Sequence, residues 1–560
     1  MHRGLIVAVV FLTGCPSEPA PAPIEGTLEA EWTLGDPVSC SNPGDAFTQL
    51  EEGAAAVGVD RVVPDAADFW IPGHFLVGVL AYDVDADGDL DLSFNRPDGS
   101  HDLYVNDGGG TFAFVPALRS PPGTPEVDPH AQGFADVDGD GLPEFFESSF
   151  NGLGMRRATG VLEWEDAVLV WDARGTQYED AGWNTFTAGD VDGDGDLDIV
   201  LASVHGAFDP FGETDEPPPG EAELILLGDG TGGFAEPIPL ISAAGEGMSQ
   251  LVLLTDRDAD GDVDIFVGAD LVGPMWPPGT LFDNGGMAGD GTLRLTDIGE
   301  ETGTALRMSH MGGDSADLNG DGALDYCFSD IGPVVCLESD PSGVYVDTEA
   351  TRNLVPGPMD IDNWWTGWSL EITDLDNDGY EDLVVAGGRA DAFIESENPT
   401  ETPWESDQPN GIWQSNSDGV WEDRTDQLGF GSIKESYGLT TADLDGDGAL
   451  EVIIGNEKDA PSIWWNTCSA GAWLRIDLHG TPGNVDAFGA TVLVEHGDRT
   501  WIQEVYSLRT VGQAPPWLHF GLGAVDTVDR ITVRWPGGET SVKRDVPTRR
   551  TVVVTHPDAG

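Results

Sequence analysis

Positive charge is scarce in this chain. Its 560 residues include 24 Lys and Arg against 101 Asp and Glu, a formal net charge of −77. Phosphate backbones are held by basic footprints, so nucleic acid is excluded as a partner. Such a charge implies bound cations, a basic partner or a solvated surface. Long apolar runs are also missing. The run LIVAVVFL near the N-terminus is too short to span a bilayer as a stable helix, and no other segment is long and apolar enough. There is no G-x-S-x-G, no H-E-x-x-H and no nucleotide-binding loop, which leaves nucleophilic, zinc and phosphate chemistry without a foothold. Long runs of helix formers are few, while 75 glycines and 38 prolines point to many turns and short strands. Hydrophobic residues at 40% are enough for a core, so the acidity does not signal disorder.

The charge is uneven. Residues 1–470 hold 91 acids and 15 bases, whereas residues 471–560 hold 10 and 9, which sets a domain boundary near 470. At the N-terminus, His2 and Arg3 precede the apolar run, and LTGC follows at 12–15. This reads as an export signal. LTGC resembles the bacterial lipobox, which implies a signal over residues 1–15 and lipidation of Cys15. The expected location is then the cell envelope, at the outer membrane or cell surface, with the lipid as the only membrane attachment. Residues 16–45, including PSEPAPAPIEGT, read as a proline-rich tether.

Four cysteines remain, an even number for an oxidising compartment, and they allow three pairings. Cys327 and Cys336 flank a DIGP turn between two short apolar runs, which favours a cross-hairpin bridge. Cys40 and Cys468 would then pair.

The stretch DVDADGDLD at 83–91 puts Asp at positions 1, 3, 5, 7 and 9 around one glycine, and six relatives follow it. Within the chain the frame is Asp at 1, Asp or Asn at 3, Asp at 5, Gly at 6 and an acid at 9. Position 7 varies freely, as expected where only a backbone carbonyl matters. A hard cation takes six to eight oxygens, and alternating side chains at 1, 3 and 5 can converge on one point. The expected calcium ligands are therefore Asp83, Asp85, Asp87, Asp89 and Asp91 in loop one, and Asp136, Asp138, Asp140, Leu142 and Glu144 in loop two. Loop three offers Asp190, Asp192, Asp194, Asp196 and Asp198; loop four offers Asp256, Asp258, Asp260, Asp262 and Asp264. Loop five offers Asp317, Asn319, Asp321, Ala323 and Asp325, and with one carboxylate fewer it should bind weakly. Loop six offers Asp374, Asp376, Asp378, Tyr380 and Asp382, and loop seven Asp443, Asp445, Asp447, Ala449 and Glu451. Up to seven structural Ca²⁺ ions are expected, in sites that read as equivalent.

An EF-hand would close with glutamate at 12 and continue into a helix. Here the acid is at 9 and the chain runs on as LDIV, VDIFVG, EDLVVAG or LEVIIG, which are strands. The loops start at 83, 136, 190, 256, 317, 374 and 443, spaced for a four-stranded sheet plus a variable loop. A second element, LYVNDGGGTF (103–112), LILLGDGTGGF (224–234) and IWQSNSDGVW (412–421), adds strand, turn and aromatic after the loop. The expected fold is all-β: a seven-bladed β-propeller over residues 46–470, followed by a small C-terminal β domain over 471–560. Residues 46–59 are expected to supply the outer strand that the seventh unit lacks.

The loops resemble the FG-GAP/VCBS repeats of integrin-α-type propellers. The tail WLRIDLHGTPGNVDAFGATVLV, LHFGLG (518–523) and ITVRWPGG (531–538) resembles the ASPIC/UnbV domain of the cartilage acidic protein family. Most repeats lack the FG-GAP tetrapeptide, so the resemblance implies fold and metal and no integrin ligand.

Two functions compete. One is a surface-anchored, calcium-binding adhesion or scaffold module, expected to be monomeric, that holds an unidentified protein or glycan. The other is a lyase or hydrolase acting on polysaccharide or peptide, with His130 and His310 brought near the central channel. His74 and His205 sit in similar strand-like stretches. WWTGW (364–368) and SIWW (462–465) offer rings for sugar stacking or for packing within blades. The tail's Arg530, Arg534, Lys543, Arg544, Arg549 and Arg550 could face the acidic propeller or solvent.

Overall fold

The computed structural model describes residues 27–40, 50–62, 77–96, 101–118, 129–149, 151–178, 181–205, 222–242, 248–270, 277–340, 342–348, 354, 365–388, 408–417, 419–457, 459–509 and 511–559. Among these, strands dominate and helix is confined to single turns.

Each acidic loop joins the first and second strands of a four-stranded antiparallel sheet. The first sheet runs Val79–Tyr82, Asp91–Asn95, His101–Asn106 and Phe112–Val115, and six more follow in chain order. The second strands are runs such as Asp198–His205 and Glu451–Asn456, whose β-branched residues pack on both sides. That two-sided burial explains their near-continuous apolar character. The first strands touch one another in sequence around the molecule, and the seventh, Ser436–Ala442, returns to the first, Val79–Tyr82. The sheets thus close into a ring with all seven acidic loops on one face.

The seventh sheet has three strands from its own unit, ending at Ser462–Trp465. Its outer strand is Glu51–Glu52, with Glu51 opposite Trp465 and Glu52 opposite Trp464. Ring closure therefore joins chain segments more than 400 residues apart, and the Cys40–Cys468 disulfide lies beside this seam. Cys327 and Cys336 face each other across neighbouring strands and are bridged.

The C-terminal domain packs two four-stranded sheets around Leu474, Ile476, Val492, Phe520, Ile531 and Val552. One of those sheets is completed from the N-terminus. Glu31–Leu34 pairs antiparallel with Arg550–Thr555, placing Trp32 opposite Val554. Leu28 donates its N–H to the Thr540 carbonyl at 2.9 Å, Gly35 to Thr551 at 2.9 Å and Val38 to Arg549 at 2.9 Å. Within the expected proline-rich tether over 16–45, residues 27–40 form a strap that covers a sheet edge otherwise open to pairing, and residues 16–26 and 41–45 lie outside the described residues. EWTL is too short to announce itself as a strand next to a proline-rich run.

Candidate functional site

Six of the seven acidic loops share one internal wiring, and in loop four Asp256 keeps only the bond from Gly261 at 3.4 Å. The position-1 aspartate accepts backbone N–H groups from positions 4 to 6, as Asp83 does from Asp87 at 3.1 Å and Gly88 at 2.8 Å. Asp190, Asp317 and Asp443 repeat this bracket. Position 6 is a glycine with φ between 85° and 97° in all seven loops. Position 4 is also left-handed, filled by Ala86, Ala259, Asn377 or glycine. That second requirement is invisible in a frame built on acids alone, although the restriction to Gly, Ala and Asn hinted at it.

The acid at position 9 does more than complete a shell. Asp91 accepts the Val84 N–H at 3.0 Å and the Asn106 N–H at 2.9 Å, so one carboxylate ties the loop to the third strand. Asp198, Asp325 and Asp382 make the same two bonds. All seven position-9 acids are buried. Burial pushes Asp91, Glu144 and Asp325 up to about 7, and Asp198 and Asp264 to about 8. A carboxylate taken out of water favours its neutral form unless a counter-charge is near.

Oxygens from three acids converge within 4.8 Å in at least five loops. In loops one, two and six these are positions 1, 3 and 9: Asp83, Asp85 and Asp91; Asp136, Asp138 and Glu144; Asp374, Asp376 and Asp382. In loops three and four they are positions 1, 3 and 5: Asp190, Asp192 and Asp194; Asp256, Asp258 and Asp260. Buried oxygens of Asp85, Asp138 and Glu451 have no hydrogen-bond partner. Hard oxygen donors with unused lone pairs suit a divalent cation, so these groups could hold a metal ion.

The loops are not equivalent, which corrects the sequence expectation. Arg157 pairs with Asp138 in loop two. In loop four Arg257 reaches Asp258 at 3.3 Å and Asp283 at 3.2 Å, and lies 3.7 Å from Asp264. These guanidiniums supply positive charge that an ion would have to compete with.

The channel at the centre of the ring is filled by the C-terminal domain. Residues 503–509 and 511–515 descend into it and meet all seven sheets. Gly512 and Gln513 pair in parallel with Val79 and Leu80 of the first sheet. The Gln513 side chain accepts from the Phe134 N–H at 2.9 Å and donates to its carbonyl at 2.8 Å. Ser507 makes the same double bond with Ala188 at 2.7 and 2.8 Å. Glu504 accepts the Thr255 hydroxyl at 2.8 Å and the Asp256 N–H at 2.7 Å. Tyr506 bonds Ser315, and Arg509 lies 3.2 Å from both Asp314 and Glu371, which spans sheets five and six. At the seventh sheet, a Cβ on Gly512 would stand 2.5 Å from the Leu439 carbonyl oxygen, so only glycine fits. Val511, at the tip, packs with Met311, Trp368 and Tyr437. What remains beside the plug is a cavity of about 60 Å³ lined by Glu371, Glu504, Tyr506, Arg509 and His519, with room for a few waters.

Sequence reasoning missed both this plug and its key cation, Arg509. The basic residues it singled out turn elsewhere: Arg530 pairs with Glu495, Arg549 with Asp526 at 2.9 Å, and Arg550 with the Gly35 carbonyl at 3.2 Å. Of that set, Arg534 approaches the ring, near Asp256.

His310 does not reach the channel. It is fully buried between Phe266 and Phe328, its Nδ1 is 2.9 Å from the Ala269 carbonyl, and burial pulls it down to about 4. The side chains of His130 and His205, together with His74 and Trp364, lie outside the described residues. Trp365, Trp368 and Trp464 are buried in blade packing against Trp413, Tyr437 and Phe430.

Comparison with known proteins agrees with this anatomy. Residues 83–147 and 374–454 match the family described as FG-GAP-like repeat. Residues 480–560 match the family described as ASPIC and UnbV. The chain thus carries FG-GAP-like repeats and an ASPIC/UnbV domain on an all-β propeller. No curated protein matches it. Among solved structures, an Agrocybe aegerita lectin described as recognising non-reducing terminal N-acetylglucosamine is 19% identical. That match covers 62% of this chain and 79% of the lectin at a TM-score of 0.39. BBS1N in complex with ARL6DN is 12% identical over 73% of this chain and 96% of its own, at a TM-score of 0.40. The Dos1 propeller is 7% identical over 68% and 76%, at 0.37. At these values no function is read from the likeness.

Proposed function

We propose that the protein is an exported, calcium-stabilised binding or scaffold module that holds a protein or glycan on the ring face opposite the acidic loops. The observation that carries this reading is the plug. Among the described residues the C-terminal domain meets the loops and residues 503–509 and 511–515 fill the channel, which directs the proposal to the opposite face. Calcium is the cation that suits the loops: the donors are carboxylates and carbonyls, spaced as a hard, flexible coordination sphere requires. Those ions hold strands together rather than meet a substrate, because the buried position-9 acids are already bonded to the sheet. Cys15 in LTGC supports a lipid anchor in the bacterial cell envelope, with the folded part monomeric, and both disulfides suit an oxidising compartment.

Calcium that binds the folded state alone adds about 2.7 kcal/mol per site at 100 times its dissociation constant. Chelation with EDTA is therefore expected to lower the melting temperature by many degrees, and added Ca²⁺ to restore it. A melt indifferent to EDTA would remove calcium from the reading. The binding role is tested by a calcium-dependent pull-down and a glycan-binding screen with the full chain. New chain ends or unsaturated products from pooled polysaccharides would instead favour a lyase or hydrolase.

A further inference from the structure

Loop six departs from the other six loops at three positions, and all three departures touch the C-terminal domain. Position 4 is Asn377, where the others have Gly or Ala. Its Oδ1 lies 2.7 Å from His519 Nε2, its Nδ2 donates to the Gly448 carbonyl at 2.8 Å, and its own carbonyl accepts the Gly523 N–H at 3.0 Å. Position 7 is Tyr380, the one aromatic at that place in the seven loops, and the Arg499 guanidinium lies 4.0 Å over its ring. Position 8 is Glu381, where every other loop has an apolar residue or proline, and Gln503 of the C-terminal domain lies beside it.

The covering goes further. The carbonyl of Gly379, at the turn of the loop, accepts the Trp501 indole N–H at 2.9 Å and a second bond from Arg499. Gly521 lies so close to Asp374 that a Cβ would stand 1.8 Å from its carboxylate oxygen. Asp374 is 1% exposed and Asp382 0%. Loop five is the contrast. Asn319, Asp321 and Gly322 are exposed, and a Cβ on Gly320 or Gly322 would meet nothing within 4 Å.

We propose that loop six is a gated calcium site: its ion seats the C-terminal domain on the ring and leaves rapidly only when Arg499 and Trp501 lift away. The inference rests on the calcium reading above and adds a division of labour among the sites. By linkage, an ion that favours the docked domain is in turn held more tightly by docking.

The test is calcium release from the full chain, mixed rapidly with a fluorescent chelator, with total calcium counted beforehand by elemental analysis. Two phases are expected, a fast one from open loops such as loop five and a slow one from loop six. Asp374→Asn should abolish the slow phase, and Asp317→Asn should diminish the fast phase while leaving the slow one. Trp501→Phe, which keeps the ring and loses the N–H, and Arg499→Lys, which loses the flat stack, should each speed the slow phase at least fivefold at unchanged stoichiometry. A single phase in the parent chain overturns gating. So does a slow phase that Asp374→Asn removes but neither Trp501→Phe nor Arg499→Lys accelerates. A chain holding no calcium at all overturns the calcium reading itself, an outcome the elemental count separates from the other two.

Discussion

Gly322, at position 6 of loop five, sits at φ +89° in open space, so a side chain there would clash with nothing beyond its own backbone. For an L-residue the left-handed region costs about 1–2 kcal/mol. Gly322→Ala should therefore lower stability by about 1 kcal/mol in denaturant titrations of the calcium-loaded protein, even though no contact is lost. An unchanged midpoint would mean the turn relaxes freely and that the glycine is not what shapes the loop. At this scale the sequence was most legible. Acids at 1, 3, 5 and 9 with glycine at 6 name a turn and its chemistry because every bracket, from Asp317 to Gly322 for example, closes within five residues. The left-handed position 4 and the stapling by position 9 were harder to see. The first is a backbone property, and the second depends on a strand partner 14 residues on, Ser339, that no motif marks.

Among elements, the plug is the part that sequence could not display. VYSLRTVGQAPP has no repeat and no charge run, and its meaning lies in seven strands scattered from Val79 to Leu439. Spacing found the sheets because each is built almost wholly from consecutive residues, whereas the plug is defined by contacts between residues far apart in the chain. The strap at 31–34 escaped for the same reason. Arg509 is the test of the plug's role. It neutralises Asp314 and Glu371, both buried, and truncating one partner of a buried ionic group leaves the remainder uncompensated, at about 3–5 kcal/mol. Arg509→Ala is expected to destabilise by that amount, and adding Asp314→Asn and Glu371→Gln to it should recover a large part. If Arg509→Ala alone unfolds at the parent's midpoint, the contact is incidental and the domain is held by its apolar surface.

For the whole molecule, some buried acids at the seam between ring and C-terminal domain share a cation or have none. One guanidinium, Arg509, serves two buried acids, and Asp486 meets the ring through the Tyr82 hydroxyl at 2.7 Å with no base beside it among the described residues. Burial pushes Glu371 and Asp486 up to about 7, while in the unfolded chain they would titrate near 4. The folded state therefore binds these protons more tightly than the unfolded state does. Their stabilising effect is fully present below about pH 4 and is lost as pH rises through about 7, since stability falls with pH wherever the folded state holds more protons. Position-9 acids push in the same direction when no ion neutralises them, so saturating Ca²⁺ separates the two contributions. In excess Ca²⁺ the unfolding free energy should decline by a few kcal/mol between pH 5 and pH 8. The Glu371→Gln and Asp486→Asn double variant, which carries no proton to lose at either place, should show a flatter profile over that range. If the parent and the double variant decline in parallel, the seam holds its acids ionised, and its stability rests on Arg509 and the apolar contacts of Val511 instead.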